Sequence, residues 1–261
     1  MDESIAFDRA AEFYDQTRAI SDESMARTIE LLASELRDRG RVLEVGVGTG
    51  LLALPLHEAG IDLAGVDLSR PMLRKCVEKA GGTAPFPLVV ADATGLPFAG
   101  GAFGAAYLRW VLHLVPDWRR VLAEVVRVVR PGGVFLVNLG AYEEARKAIQ
   151  DRFAEITGVS LKPVGLHWDD YDELESAMAA LGARMRELPS VHEGGTETLG
   201  EFVNGIEQNR YSWTWPLADG ERLRAVDEIR SWAEQRFGSL DERKPFEHAT
   251  RWLAYDLGGR G

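Results

Sequence analysis

The chain has 261 residues, of which 46% are hydrophobic and 27% charged, a composition typical of one large globular domain or one domain carrying an insertion. Its formal net charge of −11 comes without a sustained basic cluster, which argues against DNA or RNA as the main partner because phosphate neutralisation supplies most of that affinity. No apolar run approaches the roughly 20 residues of a membrane helix, and the acidic N-terminus lacks the basic flank and apolar core of a signal peptide, so we expect a cytoplasmic protein without a membrane partner.

Two helices are predicted within residues 1–40, ahead of the first strand. The segment SIAFDRAAEFYDQTR is typical of a short helix. A second helix is expected to start after Ser21 and to end at Gly40, because one face of it collects the apolar residues Met25, Ile29, Leu32 and Leu36.

Between residues 41 and 140, short β-rich runs alternate with helical patterns, which predicts an α/β fold with a parallel sheet covered by helices. Helical stretches are expected near residues 50–59, 70–80 and 117–129, the last after the natural N-cap Asp117. The candidate strands are RVLEV (41–45), DLAGVD (62–67), PLVVAD (87–92), GAAYLRW (104–110) and GVFLVN (133–138).

The pattern changes in the remainder, residues 141–261. Residues 141–158 and 169–182 have helical patterns, whereas ARMRELPSV (183–191) and HATRWLAYDL (248–257) are typical of strands. Two further helices lie between those strands, at 196–210, which opens with a Thr198–Glu201 capping box, and at 221–237. Helices inserted between two late strands suggest a helical cap at about 196–237 that serves the substrate.

Cysteine and histidine give no sign of metal or thiol chemistry. Cys76 is the only cysteine, so an internal disulfide is impossible and a reducing compartment fits. It shares a helical face with apolar residues, which indicates core packing rather than a reactive thiol. The five histidines are scattered without metal-ligand spacing, and we predict no metal site.

The stretch VLEVGVGTG (42–50) places a carboxylate, Glu44, inside an apolar strand just ahead of three alternating glycines. Burying an unpaired charge is costly, so Glu44 requires a partner. A glycine loop between a strand and a helix lets a ligand approach the backbone and the helix's first amides. A dinucleotide site needs G-x-G-x-x-G or G-x-G-x-x-A, but Leu51 stands at the third motif position and Glu44 would repel phosphates.

Two more acids follow the next two predicted strands, Asp67 in GVDLSRPML and Asp92 in ADATGLPF. The carboxyl ends of neighbouring parallel strands meet at one edge of the sheet. There Asp67 can accept both hydroxyls of a ribose, and Asp92 can accept from the exocyclic amine of a base. Three acids suit an uncharged nucleoside joined to a cationic amino acid better than they suit a pyrophosphate.

These segments, together with AFGAAYLRWVLHLVPDWRRVLAEVVRVVRPGG, resemble the class I S-adenosylmethionine-dependent methyltransferases over about residues 41–133. The resemblance is closest to the small-molecule branch that includes the ubiquinone- and menaquinone-biosynthesis methyltransferases. It implies a Rossmann-like, doubly wound, seven-stranded, mostly parallel sheet, with an antiparallel strand that HATRWLAYDL can supply. It also implies S-adenosylmethionine as cofactor, S-adenosylhomocysteine as product and residues 41–140 as the cofactor-binding core.

The resemblance assigns roles to individual residues. Glu44 matches the acid that anchors the cofactor's methionine end, Asp67 the ribose-binding acid, and Asp92 the residue that reads adenine. Arg109 matches a residue that contributes backbone and packing at the methionine end, and the N-terminal helix folds over the cofactor in similar enzymes. The remaining expected cofactor-binding residues are Gly46, Gly48, Gly50, Leu68, Met72, Ala93, Tyr14 and Arg18. For Tyr14 and Arg18 an ordinary solvated helix face is the alternative.

Methyl transfer from a sulfonium is an in-line displacement, so positioning in a site closed to water can supply much of the rate. A base matters only for some acceptors, and His113, after the fourth strand, is the candidate for it, with packing beside the cofactor as the alternative. The aromatics of YSWTWP, Tyr211, Trp213 and Trp215, either pack within the cap or line an apolar acceptor pocket that His167 joins.

The function predicted from the sequence is therefore methyl transfer from S-adenosylmethionine to a small-molecule acceptor. The acceptor, the methylated atom and the oligomeric state are not readable. Two alternatives stay open at this point, a non-catalytic S-adenosylmethionine-binding protein and, less favoured, a dinucleotide-dependent oxidoreductase.

Overall fold

The structure is a computed structural model that describes residues 4–17, 21–140 and 144–258. Its strands are β1 (Val42–Val45), β2 (Leu63–Asp67), β3 (Leu88–Val90), β4 (Phe103–Arg109), β5 (Val129–Asn138), β6 (Ala183–Glu187), β7 (Val191–Glu197), β8 (Lys244–Thr250) and β9 (Leu253–Leu257). Its helices are α1 (Tyr14–Thr17), α2 (Asp22–Leu36), α3 (Ala53–Glu58), α4 (Arg70–Lys79), α5 (Trp118–Val128), α6 (Glu144–Thr157), α7 (Tyr171–Ala180), α8 (Leu199–Glu207) and α9 (Asp219–Phe237), with short 3₁₀ turns at Asp8–Ala10, Leu112–Leu114 and Ser212–Thr214. Among the described residues, no helix combines the length and the apolar character that a membrane crossing requires.

Seven strands form one sheet in the order β3-β2-β1-β4-β5-β9-β6. Neighbouring strands are parallel from β3 to β5, whereas β9 runs antiparallel to both β5 and β6. The predicted doubly wound α/β fold is confirmed. Because strand order reverses between β1 and β4, their carboxyl ends flank the switch point at which such sheets bind ligands.

The central strands β1 and β4 are largely apolar because helices cover both faces of the sheet. All four residues of β1 are buried, as are the first six of β4. Alternate residues of β1 face two separate cores. Leu43 and Val45 belong to the core on the α5 side, and Val42 belongs to the core that includes residues of α2, α3 and α4.

Two compact units divide the chain. The first comprises residues 1–140, 164–191 and 250–261 and contains the seven-stranded sheet. The second comprises residues 141–163 and 192–249, so it extends beyond the 196–237 expected for the cap. Within the second unit, α6, α8 and α9 pack around a core of their own that includes Phe153, Val203 and Ile229.

The structure corrects three predicted boundaries. Helix α2 ends at Leu36 rather than Gly40, because the backbone is extended at Arg37 and left-handed at Asp38 and Gly40. Strand β3 ends at Val90, so Asp92 lies two residues beyond it. The run 248–257 is not one strand, since Leu253–Leu257 is the predicted antiparallel strand of the main sheet whereas residues 248–250 belong to β8.

The pairing of β7 with β8 was missed from the sequence. Strand β7 reads VHEGGTE, and its two glycines and two glutamates are poor strand formers, so local propensity gives little sign of it. Its partner lies about fifty residues further along the chain, beyond the reach of any local pattern.

Candidate functional site

The glycine loop, residues 46–50, joins β1 to the segment that opens α3. Gly46, Gly48 and Gly50 all have positive φ, of 77°, 53° and 76°, conformations that other residues rarely adopt. Space is equally limiting, because a Cβ on Gly50 would lie 2.7 Å from Sγ of Cys76 and one on Gly46 would lie 2.4 Å from a methyl of Val111. The loop therefore runs flat against α4 and the end of β4.

Asp67, the last residue of β2, is hydrogen-bonded to the glycine loop. Its Oδ2 accepts from the amide of Gly48 at 2.8 Å, and its Oδ1 accepts from the amide of Ser69 at 2.7 Å. Burial raises the pKa of Asp67, while these backbone donors oppose the rise. Each oxygen retains a lone pair beyond its backbone bond, which is the acceptor capacity that a ribose diol requires.

Glu44 has a partner that the sequence analysis did not identify. Tyr107, paired with Glu44 across β1 and β4, donates its hydroxyl to Oε2 of Glu44 at 2.8 Å. The two side chains are 4% and 0% exposed, so this bond lies in the core beneath the loop. Burial raises the pKa of Glu44 to about 8, with the Tyr107 bond and Arg109 opposing and Asp67 adding to the rise.

Asp92 is fixed by its own turn. Its Oδ1 accepts from the amide of Thr94 at 2.8 Å and from the Thr94 hydroxyl at 2.7 Å. Burial alone would raise the pKa of Asp92, but the hydrogen bonds from Thr94 and from Ser4 outweigh it and lower the pKa. The carboxylate is therefore ionised and oriented at neutral pH.

Helix α5 clamps the segment that follows Asp92. Arg127 donates to the carbonyls of Phe98 and Leu96, at 2.7 and 2.9 Å, and to both oxygens of Glu124. Glu124 in turn accepts from the amide of Leu96 at 2.8 Å, and Arg120 donates to the Thr94 carbonyl at 3.2 Å. The bonds from Arg127 hold the pKa of Glu124 below its usual range, against the effect of burial.

The N-terminal segment contacts the same edge of the sheet. Asp15, in α1, accepts from the hydroxyl of Thr49 in the glycine loop at 2.5 Å and pairs with Lys79 at 2.7 Å. Further back, the amide of Ile5 donates to the carbonyl of Leu114 at 3.0 Å. Tyr14 is the first residue of α1, beside Asp15, whereas Arg18 lies outside the described residues.

Past the end of β4 lies a cluster of aromatic side chains within the first unit. Trp110 has a positive φ of 57°, unusual for a bulky residue, and its ring lies 3.8 Å beneath the Arg109 guanidinium. His113 and Trp168 make an edge-on contact at 6.4 Å between ring centroids. His167 stacks at a tilt on Trp168, 4.3 Å away, and its ring nitrogen contacts Asp169.

The aromatics of YSWTWP pack within the second unit. Tyr211 and Trp213 stack nearly parallel at 5.7 Å, and Trp213 meets Phe153 edge-on at 5.4 Å. Trp215 donates its indole N–H to the carbonyl of Asn209 at 3.1 Å. All three side chains are partly buried, so packing uses much of each ring.

The remaining predicted residues fall beside these. Met72 is buried with its terminal methyl 3.4 Å from where a Cβ of Gly48 would lie, while Leu68 and Ala93 are partly buried next to Asp67 and Asp92. Sequence reasoning missed Tyr107, Thr49, Asp15, Glu124 and Arg127. Each acts through a residue distant in the sequence, so only the strand order and helix packing reveal it.

The three acids of the site fit S-adenosylmethionine. Glu44 and Asp67 are acids within or at the end of neighbouring strands, and Asp92 follows the third strand. A cationic amino-acid end, two ribose hydroxyls and an adenine amine are all donors, which is what three carboxyl groups can accept.

Comparisons with known proteins agree with that fit. Residues 43–137 match a family model described as "Methyltransferase domain". The chain is 33% identical to malonyl-[acyl-carrier protein] O-methyltransferase of Geobacter sulfurreducens, across 98% of this chain and 97% of that protein. It is 36% identical to demethylmenaquinone methyltransferase of Renibacterium salmoninarum, but only over 37% of this chain and 40% of that one.

A solved structure shares the fold. Phosphoethanolamine N-methyltransferase 2 of Haemonchus contortus, in complex with phosphomonomethylethanolamine and S-adenosylhomocysteine, superposes with a TM-score of 0.53 at 18% identity, covering 97% of this chain and 58% of that one. That likeness concerns the fold, whereas the relative matched over almost its full length shows the family. The chain belongs to the class I S-adenosylmethionine-dependent methyltransferases.

Proposed function

We propose that this methyltransferase methylates a carboxylate oxygen of a malonyl thioester. The observation that carries the proposal is the extent of similarity. The malonyl-[acyl-carrier protein] O-methyltransferase match spans 98% of the chain, including the second unit, whereas the demethylmenaquinone methyltransferase match spans 37%. A malonyl thioester has one free carboxylate, so its O-methylation gives a methyl ester.

The proposed roles in cofactor binding follow from the positions of these acids. In this proposal Asp67 accepts the ribose hydroxyls, Asp92 and Ala93 read the adenine edge, and Leu68 and Met72 pack against the adenosine. Support comes from the backbone bonds that orient Asp67 and from the turn that fixes Asp92. Glu44, Arg109, Tyr14 and Arg18 serve the methionine end, and the glycine loop of Gly46, Gly48 and Gly50 admits the cofactor to the backbone.

When bound, S-adenosylmethionine supplies an electrophilic methyl group and a neutral leaving group. A carboxylate is already ionised at neutral pH, so no residue of this chain would have to remove a proton from the acceptor. His113 then lines the site rather than acting as a general base. Its edge-on contact with Trp168 supports a packing role.

For the acceptor we propose the aromatics of the second unit, Tyr211, Trp213 and Trp215, which supply apolar surface. His167, beside Trp168 in the first unit, is the alternative. The cytoplasm is the proposed compartment, supported by the single buried cysteine. A small acyl thioester, and neither nucleic acid nor a membrane, is the proposed partner.

The test is turnover on matched acceptors. The purified chain is incubated with S-adenosylmethionine and a malonyl thioester, an acetyl thioester that lacks the free carboxylate, or a demethylated naphthoquinol. We expect S-adenosylhomocysteine and a methyl ester, detected by mass spectrometry, with the malonyl thioester alone. Turnover on the quinol with none on the malonyl thioester would overturn the proposed acceptor.

A further inference from the structure

The inference concerns the buried pair formed by Glu44 and Tyr107, and it rests on the proposed cofactor role of Glu44. We propose that Tyr107 is a positioning residue whose hydroxyl holds Oε2 of Glu44, leaves Oε1 for the cofactor's ammonium group, and couples cofactor binding to release of one proton. Nothing in the sequence pattern or in the comparisons assigns Tyr107 a part in the site.

The geometry gives the two oxygens of Glu44 different roles. Cα positions of Glu44 and Tyr107 are paired in register across the two strands that flank the switch point. Among the described residues, Tyr107 is the one hydrogen-bond donor to this carboxyl, at 2.8 Å on Oε2, so Oε1 is left without a protein partner. Oε1 is not among the fully buried unpaired atoms, so it is open to a ligand, and an ammonium group could donate to it.

The surrounding charges leave the carboxyl without a bonded cation. On β4 the neighbours are Tyr107 and Arg109, on β2 there is Asp67, and on α4 there is Cys76, with Lys79 and Asp15 beyond it. Burial raises the pKa of Glu44 to about 8, whereas burial and the Glu44 charge raise that of Tyr107 well above its ordinary value. Tyr107 therefore keeps its proton and stays a donor, and Glu44 is largely protonated at pH 7 before the ligand arrives.

The proton balance follows. A protonated Glu44 meets an ammonium group, the carboxyl proton leaves to solvent, and the product is a carboxylate–ammonium pair with Tyr107 still donating to Oε2. Ligands that carry the ammonium group release the proton, and nucleosides without it do not. Below the pKa of Glu44, affinity for the ammonium-bearing ligand therefore increases by up to about tenfold for each unit by which the pH is raised.

The experiment is calorimetry with S-adenosylhomocysteine at pH 7 in buffers of different ionisation enthalpy, which counts protons released per ligand bound. We expect about 0.5 to 1 proton for the parent. Methylthioadenosine, which lacks the amino acid end, should release none, and Glu44→Gln should release none with either ligand.

Tyr107→Phe separates positioning from simple packing. We expect proton release to persist, affinity to fall about 5- to 30-fold because a charge-assisted bond is lost, and the rise of affinity with pH to move to higher pH. The matched control is Tyr255→Phe, because Tyr255 is also 0% exposed in the same sheet and its hydroxyl has no partner among the described residues. That variant should bind as the parent does.

Three results would overturn this inference while leaving the proposed cofactor site standing. One is binding of S-adenosylhomocysteine by the parent without proton release, and another is a folded Tyr107→Phe with parental affinity and pH dependence. Should Tyr107→Phe fail to fold, the comparison of parent with Glu44→Gln decides, because equal proton release by both excludes Glu44 as the source. Absence of any binding to the parent would instead overturn the proposed cofactor site, and the inference with it.

Discussion

Asp67 illustrates how one side chain serves both the fold and the ligand, since it holds the amides of Gly48 and Ser69. Replacing it with alanine removes the acceptor for a ribose diol and loosens the loop. We expect Asp67→Ala to bind S-adenosylhomocysteine about 10- to 150-fold more weakly, measured by calorimetry. Asp62→Ala, at the other end of β2 with an exposed pairing to Arg41, is the control. Parental affinity in a folded Asp67→Ala would exclude Asp67 as the ribose ligand.

Glu44 also makes folding depend on pH. Its pKa is raised from 4.5 to about 8 in the folded chain, so the folded state holds the proton more tightly than the unfolded state does. Below the pKa of the unfolded state, Glu44 is protonated in both states and its burial does not lower the free energy of unfolding. As the pH rises from there towards 8, the free energy of unfolding falls by about 1.4 kcal/mol per pH unit.

The check is urea unfolding of the ligand-free chain between about pH 5 and pH 8, compared with Glu44→Gln. The pKa of Asp67 is also raised and its charge acts on Glu44, so the difference between the curves reports Glu44 together with its interaction with Asp67. The parent should lose stability relative to the variant as pH rises. Parallel curves would show that Glu44 is ionised throughout.

The variant His113→Gln distinguishes a general base at this position from a residue that only packs in the site. Because a carboxylate acceptor has no proton to remove, we expect His113→Gln to lower turnover on a malonyl thioester by less than about tenfold, against the 10²–10⁴ typical of a lost general base. The rate should also keep the parent's pH profile. A loss of about a thousandfold, at unchanged affinity for S-adenosylhomocysteine, would identify His113 as a base after all.

At the scale of elements, α5 carries a function that its apolar stripe does not reveal. Arg127 and Glu124 hold the carbonyls and amide of residues 96–98 and so fix the segment after Asp92. We expect Arg127→Ala to cost about 1–3 kcal/mol of stability, discounted because the Arg127 side chain is 35% exposed, and to weaken methylthioadenosine binding. Arg119→Ala, on the same helix in an exposed ion pair with Glu173, should do neither. Equal effects in both variants would show that the hydrogen bonds of Arg127 have no particular part in binding the adenosine.

The elements themselves were largely predictable, for physical reasons. The buried parallel strands are largely apolar runs. The helix starts are marked by Ser21, Asp117 and Thr198, whose side chains accept hydrogen bonds from backbone amides of the first turn. The β7–β8 pair was not predictable, since its strands are polar and far apart in sequence. The partner of Glu44 was hidden in the same way, because Tyr107 is adjacent only once β4 is known to lie beside β1.

At the scale of the whole molecule, the chain comprises two compact units. The proposed cofactor residues that the structure describes lie in the first unit, whereas residues 141–163 and 192–249 form the second. A cofactor common to many reactions cannot select an acceptor. Selectivity for the acceptor therefore has to come largely from residues outside the cofactor set, and the clustered aromatics of the second unit are our proposal for it.

The variant Trp213→Ala tests whether the aromatics of the second unit select the acceptor. The ring stacks on Tyr211 and meets Phe153, so its loss lowers stability, and the remaining question is whether acceptor binding also suffers. If the ring lines the acceptor site, the Michaelis constant for the malonyl thioester should rise about 10- to 150-fold through lost apolar contact, while affinity for S-adenosylhomocysteine stays the same. Trp232→Ala is the matched control, because Trp232 packs edge-on with Phe237 in the same core but lies outside the YSWTWP run. Thermal unfolding of both variants corrects for stability. Unchanged acceptor kinetics in a folded Trp213→Ala would return this residue to packing and move acceptor selectivity to the first unit, around His167 and Trp168.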